Sequence, residues 1–343
     1  MKGWGTAAGM ARPRLAIPGL TRRGIQVALG LMWVLDGLLQ LQPAMLTSRF
    51  TTQVIRPAGV GQPGFVSLPV GYAAQLIGHD PVLFDVGFGM VQLLLGVGLL
   101  YPRTVRWAIP ASMAWALAVW YLGEGLGGLF GGTATVLTGA PGAALLYALL
   151  ALAGRPRRDH PGAADPPPRW TAVSWAVLWL GGAVLQALPG ADTNASVAVT
   201  LAMNASGAPA WFATIEHHLA VWLPGYGVSI IVDLVVLQVL AGLGVFGAGR
   251  VRQLAVILGM ALALGYWVVG QDLGQFWSGI ATDPDTGPLA VLLGLAVLGS
   301  PAWRAGGGGQ PAPASSRLRV TAEPATPTPA AETMAAGSAS PAD

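Results

Sequence analysis

The stretch WYLGEGLGGLFGGTAT at residues 120–135 returns 147 positions later as WVVGQDLGQFWSGIAT, and this constrains the fold more than any local pattern. Trp120, Gly123, Leu126, Gly127, Gly132, Ala134 and Thr135 are answered by Trp267, Gly270, Leu273, Gly274, Gly279, Ala281 and Thr282. At an offset of 146 the correspondence continues upstream. Trp33, Gln40, Pro43, Gln92, Gly96 and Arg106 match Trp179, Gln186, Pro189, Gln238, Gly242 and Arg252. One near-constant spacing marks a tandem duplication, and such a repeat sets architecture before any local propensity does.

The duplicated unit belongs in lipid. Of the 343 residues 53% are apolar and 10% charged, and the mean hydropathy is +0.59; soluble domains carry about 25% charged residues. Cysteine is absent, which excludes disulfides and thiolate metal or redox chemistry by this chain. The net charge of +3 gives no sign of a nucleic-acid partner.

A membrane helix needs about 20 mostly apolar residues. Eight such runs are expected, at about 24–41, 82–101, 105–122, 138–153, 170–188, 226–246, 252–269 and 287–303. With the N-terminus inside, all basic residues but Arg49 and Arg56 fall on the cytoplasmic side, as membrane orientation requires. Both termini are then cytoplasmic, in a bacterial plasma membrane. Four spans per half is an even number, so the halves enter from the same side and are parallel repeats. The expected fold is all-α: a polytopic protein with eight transmembrane helices in two four-helix repeats, 24–153 and 170–303. A cytoplasmic segment 1–23, a polar linker 154–169 and a disordered tail 304–343 complete the chain. Long loops at 42–81 and 189–225 put the functional surface on the outer side.

Acidic residues gather toward that side. Asp36, Asp85 and Asp233 fall within spans, where a carboxylate costs about 2.5–3.5 kcal/mol on insertion scales. Trp33, Asp36, Gly37 and Gln40 share one helix face, and Asp85, Gly89, Gln92 and Gly96 another. Gln238 and Gly242 repeat the second stripe, with Asp233 displaced by about half a turn. Glu124 and the pair Gln271, Asp272 occupy equivalent places where the third and seventh spans emerge. These nine residues, Asp36, Gln40, Asp85, Gln92, Glu124, Asp233, Gln238, Gln271 and Asp272, are the candidates for an outward polar cavity taking a small cation or polar ligand. The alternative for the glutamines is interhelical hydrogen bonding, since they persist in both copies. The counterpart of Asp36 in the second copy is Gly182, so the fold does not demand an acid there.

Other motifs carry less. The glycine-rich run after Trp120 lacks the Lys-Ser/Thr of a phosphate cradle. TDPDTGPL, Thr282 to Leu289, has too few ligands for a calcium loop and reads as a turn and N-cap for the eighth span. His217 and His218 are adjacent and diverge on a helix, unlike an i, i+4 metal pair. No catalytic or metal-binding set stands out.

The run WVLDGLLQLQPAM, Trp33 to Met45, and the glycine-rich FDVGFGMVQLLLGVGLL, Phe84 to Leu100, resemble the DoxX-like group of bacterial membrane proteins. Residues 24–303 resemble an actinobacterial multi-pass family built from two such units. The resemblance implies a small membrane subunit associated with redox partners, and it transfers no catalytic residue. Two functions remain open. One is a non-enzymatic carrier or assembly partner for exported proteins. The other is a membrane subunit of a quinone-linked oxidoreductase, with quinone as cofactor, a groove between the halves holding it, and Asp36 or Glu124 handling protons.

Overall fold

The computed structural model describes residues 17–156, 165–188, 198–199, 201–202, 205, 207–226 and 229–301. The segment 1–16, the centre of the linker, Asp192 and the tail from 302 onward lie outside the described residues. Among those described, the fold is all-helical. Ten α-helices run in order: α1 (Arg22–Gln40), α2 (Gly64–His79), α3 (Pro81–Leu100), α4 (Val105–Leu122) and α5 (Ala143–Ala153), then α6 (Trp170–Gln186), α7 (Ala210–Trp222), α8 (Ser229–Gly244), α9 (Arg250–Val269) and α10 (Thr286–Gly299).

Local chemistry accounts for several boundaries. Thr21 Oγ1 accepts from Gly24 N at 3.1 Å to start α1. Asp80 Oδ1 accepts from Leu83 N at 3.1 Å to start α3, whose first residue is Pro81, a position where the missing N–H costs nothing. At the far ends, arginines take up the last carbonyls. Arg23 donates to Leu99 O and Leu100 O of α3, and Arg252 donates to Val297 O at 2.5 Å and to Ser300 Oγ at 2.9 Å at the end of α10. These arginines therefore terminate helices.

The helices expected at the eight runs all form, but their lengths differ. Pro81–Leu100 and Arg250–Val269 are long and apolar enough to cross a membrane alone. Ala210–Tyr226 and Ser229–Gly244, at 98° to one another, make a third if taken as one broken span. Helices α5, α6 and α10 have only 11, 17 and 14 residues. The shortest can be short because it is wrapped by protein: eight of the eleven residues of α5 are buried, and backbone shielded by neighbouring helices has no lipid to avoid. Two more helices lie in the outer segments: α7 where His217 and His218 were expected on a helix, and α2 in a stretch expected to be a loop.

Each half uses the same packing scheme. Helix α1 packs chiefly on α3, as α6 does on α8; α4 pairs with α5 as α9 pairs with α10. Gly96 permits the first contact, since a Cβ there would stand 2.6 Å from Val34 Cγ2 and 2.7 Å from Gly30 O. Trp120 Nε1 donates to Pro141 O at 2.7 Å, and Trp267 Nε1 to Pro284 O at 2.8 Å. The turns after α4 and α9 run left-handed over four residues in both copies. Gly125, Leu126, Gly127 and Gly128 have φ of 54, 58, 64 and 74°, and Asp272, Leu273, Gly274 and Gln275 have 50, 53, 73 and 53°. A single apolar core runs through both halves from Ile25 and Leu29 to Leu293 and Val297, with α10 touching α5, α6 and α1 along the seam. A smaller cluster, Met45, Phe50, Val66, Val70 and Ile77, lies beneath α2.

Candidate functional site

Two cavities meet at the end of the bundle that carries the long loops. The inner one, about 350 Å³, lies within the first half, walled by α1, residues 50–55, α2, α3, α4 and α5. Its walls are apolar and aromatic, with Phe50, Phe84, Phe88, Trp115 and Leu76 among them, and its polar groups are Asp36, Gln40, Gln92, Glu124, Tyr147, Thr282 and Asp283. The second cavity is an open cleft of about 1010 Å³, lined by Gln62, Thr133, Thr135, Thr138, Gln186, Gln275 and Asp285, with several glycines. Glu124, Thr282 and Asp283 line both cavities. The outer cleft is thus a vestibule and the inner cavity a chamber, with two carboxyl groups at their threshold. Neither is lined by a basic residue among those described.

Placement of Asp283 in the first half depends on an exchange of loops. The loop after α9 crosses to the first half, where Ala281 O accepts from Gln42 Nε2 at 3.1 Å. The loop after α4 crosses the other way, and Val136 O accepts from Gln271 Nε2 at 3.1 Å. Over Gly182, the counterpart of Asp36, a Cβ would overlap Val136 Cγ2. Where the first half sets Asp36 and Asp283 in one chamber, the second half sets a glycine beneath a valine. Its bundle centre is filled by Trp175, Trp179 and Tyr266, all buried.

Asp36 is 1% exposed and its Oδ1 has no hydrogen-bond partner; Gln92 is 7% exposed and its Oε1 has none either. The Trp115 Nε1 donor is likewise buried without an acceptor. Buried polar atoms left unpaired are rare, and each calls for an explanation. Trp33, one helical turn before Asp36, is held by a 2.8 Å bond from its Nε1 to Ser112 Oγ and by its ring against Tyr147 at 4.4 Å.

Glu124 and Gln271 are equivalent in position and differ in one useful way. Glu124 Oε1 accepts from Ala144 N in the first turn of α5 at 2.9 Å, and Gln271 Oε1 accepts from Gly287 N in the first turn of α10 at 3.0 Å. The remaining atom of Gln271 is a donor, satisfied by Val136 O. The remaining atom of Glu124, Oε2, is buried without a partner. Gly142, with φ of 102°, makes room for it, since a Cβ there would overlap Glu124 Oε2. Burial raises the Glu124 carboxyl well above the usual range, and Asp283 raises it further, against the lowering by the Ala144 N–H. Burial also raises Asp283, against its bonds from Thr282 and Asp285. Asp285 is pushed up to about 7 by burial first and by Asp283 second. It starts α10 by accepting from Thr286 N at 2.6 Å, as the turn-and-cap reading expects, at φ 67° and ψ −174°, a region that costs a side chain about 1–3 kcal/mol.

The candidates of the sequence separate into three groups. Asp36, Gln40, Gln92 and Glu124 come together in the chamber. Asp85 does not line it: it is buried between α1 and α3, accepting from Gln40 Nε2, which is interhelical packing. Gln238 donates to Tyr266 Oη at 2.9 Å and Gln271 ties a loop to a helix, so both serve the scaffold. Asp272 is buried apart from both cavities, and burial pushes it up to about 6. Asp233 is a correction. It is exposed on α8, because five residues separate it from buried Gln238 and turn it about 140° around the helix, whereas the seven from Asp85 to Gln92 return to the same face. The buried counterpart of Asp85 is Ile231.

Asp283 and Asp285 are the functional residues the sequence reading missed. Their acids are visible in TDPDTG, but the loop exchange that carries Asp283 into the other half leaves no local pattern. His217 and His218 are exposed on α7 with rings 82° apart, away from the chamber, and among the described residues no group of His, Asp or Glu is disposed to hold a metal. No protein family, curated protein or solved structure matches this chain.

Proposed function

We propose that this chain is a multi-pass membrane protein of two parallel units side by side, each with four membrane helices and one capping helix. It is a non-enzymatic carrier or binding protein that takes a small positively charged ligand from the outer side. The observation that carries this reading is the acid threshold. Glu124 and Asp283 stand between an open polar vestibule and an aromatic chamber that holds a further carboxyl, Asp36, and no basic residue. Clefts lined by one sign of charge between low-dielectric walls concentrate ions of the opposite sign. Tandem conformation supports the repeat: the same left-handed turn and the same tryptophan-to-proline bond recur in both copies.

The chain has no cysteine, so a single introduced thiol reports cleanly. Thr133→Cys, exposed in the vestibule, is expected to react in intact cells at about pH 8.5, where the raised threshold carboxyls give up their protons, several-fold faster with a cationic methanethiosulfonate than with an anionic one of similar size. Equal rates, a faster anion, or reaction only after permeabilisation refutes the proposal.

A second reading has one observation in its favour. The unpaired Trp115 Nε1 in an aromatic-walled chamber is a donor that a quinone carbonyl accepts, as the DoxX-like resemblance implies. This reading expects quinone and a dehydrogenase partner to copurify with the chain in mild detergent.

A further inference from the structure

Resting on the outward, cation-taking reading, we propose that the chamber binds an organic ammonium ion bearing an aromatic or branched apolar body and a hydroxyl group. Asp36 and Gln92 receive the ammonium, and Trp115 donates to the hydroxyl.

The polar atoms set the head group. Asp36 Oδ1 and Gln92 Oε1 have no partner at hydrogen-bond distance, each on a residue over nine-tenths buried and lining the chamber; the Tyr147 hydroxyl beside Asp36 is a neutral donor that leaves the carboxylate's charge unbalanced. A protonated amine supplies N–H donors and the charge that a buried carboxylate needs. The Trp115 indole N–H is the complementary orphan, and a hydroxyl oxygen satisfies it. Phe84, Phe88 and Trp115 form a continuous aromatic wall, with ring centroids 6.1 and 5.4 Å apart. Aromatic faces attract organic cations and bury an apolar body.

Bare inorganic ions fit poorly. A hydrated sodium or calcium ion crossing the threshold exchanges water for aromatic carbon on most sides, and among the described residues no triad of ligating side chains is disposed to replace that water. The size agrees with a small organic molecule: about 350 Å³ lies at the lower end of the roughly 300–1,000 Å³ of ligand pockets. The vestibule's glycines and threonines offer passage, and an ammonium ion reaching Glu124 and Asp283 draws their carboxyls toward the ionised form on the way in.

The test uses the full chain in lipid nanodiscs and calorimetric titration with 2-amino-1-phenylethanol, phenethylamine, 2-phenylethanol and menadione. Both amines are expected to bind saturably, with 2-phenylethanol roughly tenfold weaker or more, since it lacks the charge. Asp36→Asn is expected to weaken the amines about 30-fold or more, with helical content checked by circular dichroism. Trp115→Phe keeps the wall and removes the N–H. It is expected to weaken 2-amino-1-phenylethanol about five- to tenfold more than it weakens phenethylamine, a split that misfolding does not produce. Equal binding of 2-phenylethanol and the amines overturns the proposal, as does tighter binding of menadione, or amine affinity indifferent to Asp36→Asn. If neither amine binds while the Thr133→Cys labelling still favours the cation, the ligand class falls and the outward acidic reading stands; if that labelling shows no preference, the outward reading falls first.

Discussion

Raising the pH should destabilise this protein, and Asp285 sets the size of the effect. Its carboxyl is pushed from an ordinary 3.8 up to about 7 in the fold. A carboxyl raised on folding holds its proton longer in the native state than in the unfolded one. Its stabilising contribution is therefore complete below the unfolded value and lost as pH rises through the folded value. Between about pH 5.5 and 7 the unfolded chain is ionised at this group and the native chain is not. That interval of about 1.5 units, at about 1.4 kcal/mol per unit, gives a loss of about 2 kcal/mol, and above pH 7 this group adds little more. Glu124 and Asp283, raised by the same burial, act in the same direction. The assay is thermal unfolding in nanodiscs followed by tryptophan fluorescence from about pH 5.5 to 8.5. Asp285→Asn is the control, because asparagine caps helices as well as aspartate and can still accept from Thr286 N, yet does not titrate. The wild-type midpoint should fall across the range and the variant's should fall less. A midpoint that rises with pH, or a variant that keeps the full slope, refutes the reasoning.

Glu124→Gln should leave the fold intact, because Gln271 already makes the equivalent bond to a helix N-terminus. It should also raise the thermal midpoint at about pH 8.5 and reduce the cation preference of labelling at Thr133→Cys. Gly96→Ala should cost about 1–3 kcal/mol in denaturant titration, since its Cβ meets the backbone oxygen of Gly30 at 2.7 Å and α1 must move away from α3. Arg252→Ala should cost on the order of 2–3 kcal/mol in the same assay, because Val297 O and Ser300 Oγ lose a charged donor; Arg252→Lys should recover part of it.

Helix positions were legible because they depend on periodicity and hydropathy, which are local. All eight apolar runs are helical, and the equivalence of Glu124 with Gln271 was already visible in the repeat. Helix α7 was legible as the helix that carries His217 and His218; α2 was not, because Pro69 within it obscures the helical run. Asp233 was counted with the cavity although the sequence already sets it about half a turn off the glutamine stripe, five residues from Gln238 instead of seven, and that angle leaves it exposed. The chamber draws on four of the nine candidates, Asp36, Gln40, Gln92 and Glu124, whose spacing along their helices is visible in the sequence. Asp283 lies 247 positions from Asp36 in the chain, and only the crossing of loops between the halves brings the two together.

That crossing explains why the surroundings of Asp36 and Gly182 differ. The loop that covers Asp36 is supplied by the second half, and the loop that covers Gly182 by the first, so each half's centre is shaped by residues of both. Replacing Gly182 by an acid would not rebuild a site, since Val136 occupies the space its side chain needs, and Trp175, Trp179 and Tyr266 fill the volume below. A buried carboxylate is tolerated only where a ligand, a proton or a polar neighbour offsets its burial. Losing the acid on one side while packing that side with aromatic carbon relieves the cost there and leaves the scaffold's four glutamines in place. The second half then acts as a buttress. It holds Asp283 against Glu124 through the bond from Gln42 to Ala281 O and the cap of α10, and the geometry of the threshold depends on a half with no chamber of its own among the cavities described.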